Sequence, residues 1–359
     1  MPSALLTDVT ELEVDALEAR LDELGVPRFH ARQIFQWMYR RGVTDFAAMT
    51  DLGRELRARL THEFAISTPT VARRERSSDG TTKLLLQLAD GNLIESVFIP
   101  DTPSQTFCLS TQVGCAMKCA FCLTARMGIV RNLTAGEIVG QVRVLLRELD
   151  MIGQRFNIVL MGMGEPLHNY DATMKALRIL ASEHGMAVSP RRVTLSTVGV
   201  LPALERLATE PFMPNLAISL HATTEDQRDS LVPINRKYGL AELLDACRRF
   251  PLKRRNRITF EYVLLAGVND TPEDARRLVK LLNGIKSKVN LLPLNEAAGI
   301  PFTRPSDDRV NAFAQILADH HITVSVRRSR GRDIRAACGQ LMTESTRAEA
   351  PGRRLAERM

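Results

Sequence analysis

Cys115-Ala116-Met117-Lys118-Cys119-Ala120-Phe121-Cys122 is the stretch from which the rest of the chain can be read. Three thiols fall at the spacing C-x3-C-x2-C, with an aromatic residue directly before the third. Thiolates this close in sequence converge on one soft metal centre. A structural zinc takes four protein ligands, and a catalytic one takes three and a water. No histidine lies between His62 and His168, so nothing local completes a zinc site. A four-iron cluster ordinarily takes four thiolates. Three leave one iron open to another ligand, and that open corner is the informative reading. The blander alternatives are a zinc knuckle or buried apolar cysteines, and core packing rarely spaces three thiols so tightly.

Composition sets the outer bounds. The chain has 359 residues, 45% of them hydrophobic and 25% charged, as in ordinary soluble globular proteins. It is long enough for one large domain and a smaller one. No apolar run is long enough to span a bilayer. The beginning MPSALLTDVTELEVD lacks a basic and an apolar region, so a cytoplasmic location is expected and no membrane partner. Six cysteines in such a length do not make a disulfide framework, and their clustering points to metal or catalysis. Nothing calls for more than a monomer.

The net charge of +7 is unevenly spread. The first 25 residues are acidic. Basic runs follow at Arg73, Arg74 and Arg76; Arg191 and Arg192; Lys253 to Arg255 with Arg257; and Arg327, Arg328, Arg330, Arg332 and Arg335. One such run is usually solvated surface. Together they suit a phosphate backbone and point to a nucleic-acid partner.

Outward from the cysteines the chain divides into four parts. Residues 1–69 read as helical, with apolar stripes over Thr10–Leu24 and Phe29–Arg41, a stop at Gly42, and a third helix over Asp51–Glu63. Arg28, His30, Arg32, Arg40 and Arg41 decorate this small unit, which either grips RNA or caps the main domain. Residues 70–100 are strand-like, with Asp90-Gly91 as a hairpin turn and Leu93–Ile99 as the return strand. Glu95 is a carboxylate on that mostly apolar strand. It is read equally well as an outward-facing residue or as part of a site. Residues 101–342 repeat strand, loop and helix. Strands are expected near Thr106–Ser110, Asn157–Met161, Arg192–Thr197, Asn215–Leu220, Ile258–Leu264 and Val289–Leu292, with a last one at Ile322–Val326. Thr134-Ala135-Gly136-Glu137 is a capping box, and Thr271-Pro272-Glu273 opens a helix with proline at its first position. Another helix is expected over about Asp307–Ala318. The fold class is therefore α/β, a partial (β/α)6 barrel with a small helical domain and a connecting hairpin. Residues 343–359 are expected to be a disordered tail.

Parallel barrels carry their sites at the C-terminal ends of the strands. The cysteine loop follows the first strand. Met161-Gly162-Met163-Gly164-Glu165-Pro166 follows the second, Ser196 ends the third, Ser219-Leu220-His221 end the fourth, and Asn295 follows the sixth. Glycine for close approach, a carboxylate, an amide and hydroxyls on one rim suit a ligand that is both amino acid and nucleoside. His221 is equally read as a satisfied hydrogen-bonding residue. Cys108 sits at the end of the first strand. Cys338 follows the arginine-rich segment, which is expected to be a mobile loop able to reach the barrel mouth. A thiol beside cationic side chains is a candidate nucleophile. Cys247, on a helix, reads as a buried structural residue.

These residues resemble the radical S-adenosylmethionine enzymes, in the three cysteines and in the GMGEP stretch. More narrowly, Phe107–Cys115, Met161–Pro166, Ser219–His221 and Ala336-Ala337-Cys338-Gly339 resemble the ribosomal RNA adenine-C2 methyltransferase (RlmN) family, across nearly the whole chain. The resemblance implies a [4Fe-4S] cluster on Cys115, Cys119 and Cys122. It implies adenosylmethionine, two per turnover, held by Gly164, Glu165, Ser196, Ser219, Leu220, His221 and Asn295. It implies that Cys338 is methylated, that radical activation of this methyl group joins it to adenine C2, and that Glu95 accepts the C2 proton. Cys108 then releases the product by a transient disulfide with Cys338. The implied partners are 23S ribosomal RNA, transfer RNA, an electron donor and a disulfide reductant. Methylation at adenine C8 by the closely similar resistance enzymes uses the same thiols. A non-catalytic RNA-binding protein with a metal site is the other class of reading.

Overall fold

The computed structural model describes residues 6–100 and 104–343. The tail expected to be disordered lies outside the described residues, Thr343 excepted. The N-terminal unit is closed by β1 (Thr7–Asp8), which pairs in parallel with β2 (Phe64–Ala65). Between them run α1 (Val14–Glu23), α2 (Phe29–Phe35) and α3 (Arg54–Glu63). Leu17, Leu21, Ala31, Ile34, Phe35 and Leu60 form their buried faces at helical spacing. The second helix does not continue as α-helix to Arg41. Gln36–Arg40 widens to π spacing, which buries both Met38 and Tyr39, and Gly42 at φ 69° ends it. The third helix starts later than Asp51, at Arg54 after Gly53, and Asp51 accepts a hydrogen bond from the Trp37 indole.

Three basic residues of this unit have partners within the protein. Arg28 pairs with Asp22, Arg32 with Glu18, and Arg40 donates to the carbonyls of Glu183 and Gly185 in the main domain. Acidic residues do the same work: Glu11 accepts from the Gly136 N–H at 2.8 Å and Glu13 pairs with Arg178 at 3.0 Å.

The expected hairpin gains a strand. β3 (Thr70–Arg76), β4 (Thr82–Gln87) and β5 (Leu93–Ile99) pair antiparallel in sequence order. β6 (Thr106–Cys108) pairs antiparallel with β5, so the extension runs straight into the barrel sheet. After it come β7 (Gln112–Gly114), the short α4 (Leu123–Arg126) and β8 (Ile129–Asn132). β7 and β8 form a separate antiparallel pair that clasps the cysteine loop. Sequence periodicity does not reveal strands this short.

The barrel then repeats α5 (Ala135–Glu148), β9 (Asn157–Leu160), α6 (Tyr170–Ala181), β10 (Val193–Thr197), α7 (Leu201–Leu207), β11 (Asn215–Ser219), α8 (Glu225–Leu231), α9 (Leu240–Arg249), β12 (Ile258–Leu264), α10 (Pro272–Leu281), β13 (Ser287–Pro293), α11 (Asp307–Asp319) and β14 (Val324–Val326). From β6 through β9 to β14 every neighbouring pair is parallel, and the whole is one 10-stranded sheet. Both expected helix starts are present: Thr134 with Glu137 and Thr271 with Asp274 are reciprocal capping boxes. Strand β12 shows how the sheet is used. Ile258, Phe260, Tyr262 and Leu264 pack into the core beneath the helices, while Thr259, Glu261 and Val263 line the barrel interior. Among the described residues no helix is long and apolar enough to cross a membrane.

Candidate active site

A cavity of about 180 Å³ opens at the C-terminal ends of the barrel strands. Cys115, Cys119 and Cys122 all border it, on the loop clasped by β7 and β8. The clasp is tight. The Cys115 N–H donates to the Gly128 carbonyl at 2.7 Å, and a side chain at Gly114 would overlap that carbonyl. Gly114 is at φ 77°, so both geometry and space require glycine there. Inside the loop Lys118 takes φ 56°, a strained value for a lysine that lets the chain turn between the first two thiols.

Burial raises the proton affinity of all three thiols. Cys115 is pushed up to about 12, and Cys119 and Cys122 are also raised, burial being the largest cause in each case. Among the described residues no three His, Cys, Asp or Glu side chains close on a single ion. The thiols instead surround part of the cavity wall. Three soft donors around an open space fit an iron–sulfur cluster, and binding it displaces the protons.

The glycine-rich loop after β9 lies opposite. Gly164 is at φ 100°, and a Cβ there would sit 2.6 Å from the Gln112 side chain. Gln112 Oε1 accepts the Glu165 N–H at 2.9 Å and so fixes the loop. Glu165 is buried. Its oxygens accept from the N–H groups of Leu167 (3.0 Å) and Val198 (2.9 Å). Burial pushes its carboxyl up to about 7 against these bonds. Ser196 and Ser219, from adjacent strands, are in hydroxyl contact at 3.3 Å on the same wall. Asn295 Oδ1 is buried and unpartnered, while its amide nitrogen reaches the Cys338 carbonyl at 3.5 Å. An orphaned acceptor on a cavity wall fits a ligand that donates, such as an amine or hydroxyl.

His221 takes φ 62° and its Nδ1 accepts the Val263 N–H at 3.0 Å. Burial, then the nearby Arg228, pull its pKa down to about 3. It is a neutral hydrogen-bonding residue here, not an acid or base. Arg228 and Asn269 support it and were not legible in sequence. Arg228 is fully buried and donates to the carbonyls of Val198 and Leu220 and to Asn235 Oδ1. Asn269 donates to the carbonyls of His221 (2.7 Å) and Val263 (2.8 Å). Removing the guanidinium in Arg228→Met leaves these buried acceptors unpaired, and a loss of about 3 kcal/mol is expected as a lowered urea midpoint.

The two outlying cysteines come to the same end. Cys338 borders the cavity beside the cluster loop, and its own loop is stitched to that loop: Leu123 N–H to Gly339 O at 2.8 Å, Thr124 Oγ1 to Leu341 O at 2.6 Å. Further back, the arginine-rich segment is fastened to the β3–β4 turn. Ser77 Oγ and Ser78 N–H donate to Asp333, and Gly331 N–H donates to Asp79. A mobile loop is expected here; the segment has no helix or strand, and these bonds tie it to the β3–β4 turn. Cys108 is buried at the end of β6. Burial, then the proximity of Cys338, push its thiol up to about 12, opposed by Arg327. All six cysteines are free thiols.

Glu95 is placed differently from the rest. It is buried and does not line the cavity, held by Lys83 and by the Met342 N–H on Oε2 at 2.9 Å, one residue beyond cavity-lining Leu341. Glu261 was overlooked in sequence. It lines the cavity with one carboxylate oxygen bonded to Asn290 at 3.0 Å and the other unpartnered. Its signal was of the same kind as that of Glu95, a lone carboxylate in an apolar strand.

Known proteins resemble this chain at two levels. Residues 109–282 match the model of the Radical SAM superfamily, and residues 7–66 match the ribosomal RNA large subunit methyltransferase N-terminal domain. A dual-specificity RNA methyltransferase RlmN of Geobacter sulfurreducens is 52% identical, over 94% of this chain and 92% of that protein. Its namesake in Syntrophobacter fumaroxidans is 49% identical, over 94% and 98%. The crystal structure of a radical SAM methyltransferase from Sphaerobacter thermophilus superposes with a TM-score of 0.89 at 49% identity, covering 93% of this chain and 99% of that one. With the thiol-lined cavity at the mouth of a partial barrel, these matches establish that the chain belongs to the RlmN family of radical S-adenosylmethionine RNA methyltransferases, enzymes of a [4Fe-4S] cluster and adenosylmethionine.

Proposed function

We propose that this enzyme methylates C2 of adenine in 23S ribosomal RNA and in transfer RNA, with Cys338 as the methyl carrier. The observation that carries the reading is the seam between two loops. The Leu123–Gly339 and Thr124–Leu341 hydrogen bonds hold the Cys338 segment against the cysteine loop, so that four thiols border one cavity.

In this reading Cys115, Cys119 and Cys122 hold the cluster. Gly164, Glu165, Ser196, Ser219, Leu220, His221 and Asn295 receive adenosylmethionine. The bound pair supplies a methyl group by displacement and, from a second adenosylmethionine, the radical chemistry that electron-poor adenine C2 requires. Everything else falls to the protein's own side chains. Cys338 sulfur accepts the methyl group and presents its carbon to the base, which leaves enzyme and RNA joined through that carbon. Glu95 takes the C2 proton, which requires the Met342 N–H on its carboxylate to give way. Cys108 thiolate attacks the Cys338 sulfur, the carbon–sulfur bond breaks with its electron pair on the methylene carbon, that carbon takes a proton to become the product's methyl group, and the disulfide that forms is reduced by thiol exchange. Neutral His221 serves only as a hydrogen-bonding wall. The need for a low-potential electron donor and a thiol reductant fits a cytoplasmic setting.

Anaerobically reconstituted enzyme should convert unmodified ribosomal and transfer RNA so that nucleoside mass spectrometry finds 2-methyladenosine in both. Formation of 8-methyladenosine instead would move the reading to C8. Cluster-loaded protein that leaves both RNAs unmethylated would sink it.

A further inference from the structure

Lys83, on β4, is held between two carboxylates. Its Nζ is 2.9 Å from Glu95 Oε1 and 3.1 Å from Glu75 Oε2. Side-chain exposure falls along this line from 31% at Glu75 to 6% at Lys83 and 2% at Glu95. Strand register builds it. Glu75 is directly opposite Lys83 across β3 and β4, and Glu95 is opposite Leu85, the next residue of β4 on the same face. The charged groups facing Glu95 are Lys83 and, behind it, Glu75, whose own outer neighbour is Arg73 at 3.8 Å. Among the described residues, the other side brings the Met342 N–H on its carboxylate, and the Ser110 hydroxyl and Met163 sulfur on its backbone.

A buried carboxylate that accepts a proton has a problem of release. Burial favours its neutral form, so without an outlet it gives the proton up slowly and delays the next turnover. We propose that Lys83 relays the proton accepted by Glu95 to Glu75 at the protein surface, resetting Glu95 for the next turnover. The inference rests on the reading of Glu95 as proton acceptor. The Lys83 ammonium gives a proton to the Glu75 carboxylate, and the neutral amine so formed takes the proton from the Glu95 carboxylic acid. Lys83 ends as it began, Glu95 is again a carboxylate, and the proton leaves Glu75 to water. No net charge is created in the interior at the end of the transfer. Lys83 acts through Glu95 and so is a positioning and relay residue.

Three variants separate this relay from a structural ion pair. Lys83→Arg keeps a positive charge beside both carboxylates but does not release a proton. Glu75→Gln, on a partly exposed side chain, keeps the Lys83–Glu95 pair and removes the outlet. Both should complete a first turnover on RNA within about twofold of the parent and then cycle about tenfold more slowly. The deficit should shrink as pH rises and hydroxide takes over the removal. Lys83→Met should also slow the first turnover. If Lys83→Arg and Glu75→Gln both cycle at the parental rate across pH, the relay is overturned. A Glu95→Gln variant that methylates normally would remove the reading of Glu95 beneath it, and the two failures are thereby told apart.

Discussion

Cys338→Ala protein is expected to load its iron–sulfur cluster, bind adenosylmethionine and leave RNA unmethylated, with no S-methylcysteine in its tryptic peptides. The three cluster thiols lie on a different loop, and the seam between the loops is made by backbone groups of Gly339 and Leu341 and by Leu123 and Thr124, none of which the substitution touches. Cluster absorption should therefore be retained. What is lost is the only cavity-lining thiol among the described residues outside the C-x3-C-x2-C motif. Adenine C2 gives direct displacement nothing to attack, so no slower parallel route is expected and activity should fall below detection. Methylated product from this variant would overturn the carrier role.

Cys108→Ala should behave in the opposite sense. Methylation of Cys338 and attack on the base do not involve Cys108, and only the release step does. The variant should accumulate a covalent protein–RNA adduct, visible as a nuclease-sensitive band of retarded mobility on a denaturing gel, and should stop after a single turnover. Burial and Cys338 hold the Cys108 thiol up near 12, while Arg327 works against them. At the release step Cys338 is an uncharged thioether, so burial alone keeps the Cys108 thiol raised, and in the wild-type enzyme release should accelerate with rising pH because thiolate is the attacking form. Free methylated RNA at the parental rate from Cys108→Ala would count against the resolving role.

Much of the architecture could be read before the fold was seen, and the reasons are physical. The barrel strands are short, mostly apolar segments such as Ile258–Leu264, and two of the helices between them, α5 and α10, open with capping boxes, signals that are local in sequence. The rim residues followed from one rule of parallel barrels, and Gly164, Glu165, Ser196, Ser219, His221 and Asn295 do share a cavity with the three cluster thiols and Cys338. The parts that stayed hidden depend on long-range pairing. The clasp of β7 and β8 is too short to leave a period. Arg228 looks like any charged residue of a short helix, and only the fold shows it buried beneath two strand ends. Lys83 gave no signal, since its significance lies in the register that sets it between Glu75 and Glu95. The basic residues of the N-terminal unit read by sequence as either an RNA grip or a cap, and their partners, Asp22 for Arg28, Glu18 for Arg32 and the Gly185 carbonyl for Arg40, are set by the fold.

The fastening of the arginine-rich segment to the β3–β4 turn can be restated as an effective concentration. With Gly331 and Asp333 anchored on one side and Gly339 and Leu341 on the other, Cys338 hangs on a short span of chain fixed at both ends. A thiol so tethered samples a small volume, and its local molarity near Cys108 is set by these anchors instead of by the length of the loop. The same short leash bounds how far a nucleotide bonded to Cys338 can drift. Loosening the anchors, as in Asp333→Ala, would dilute the encounter of the two sulfurs without altering either one.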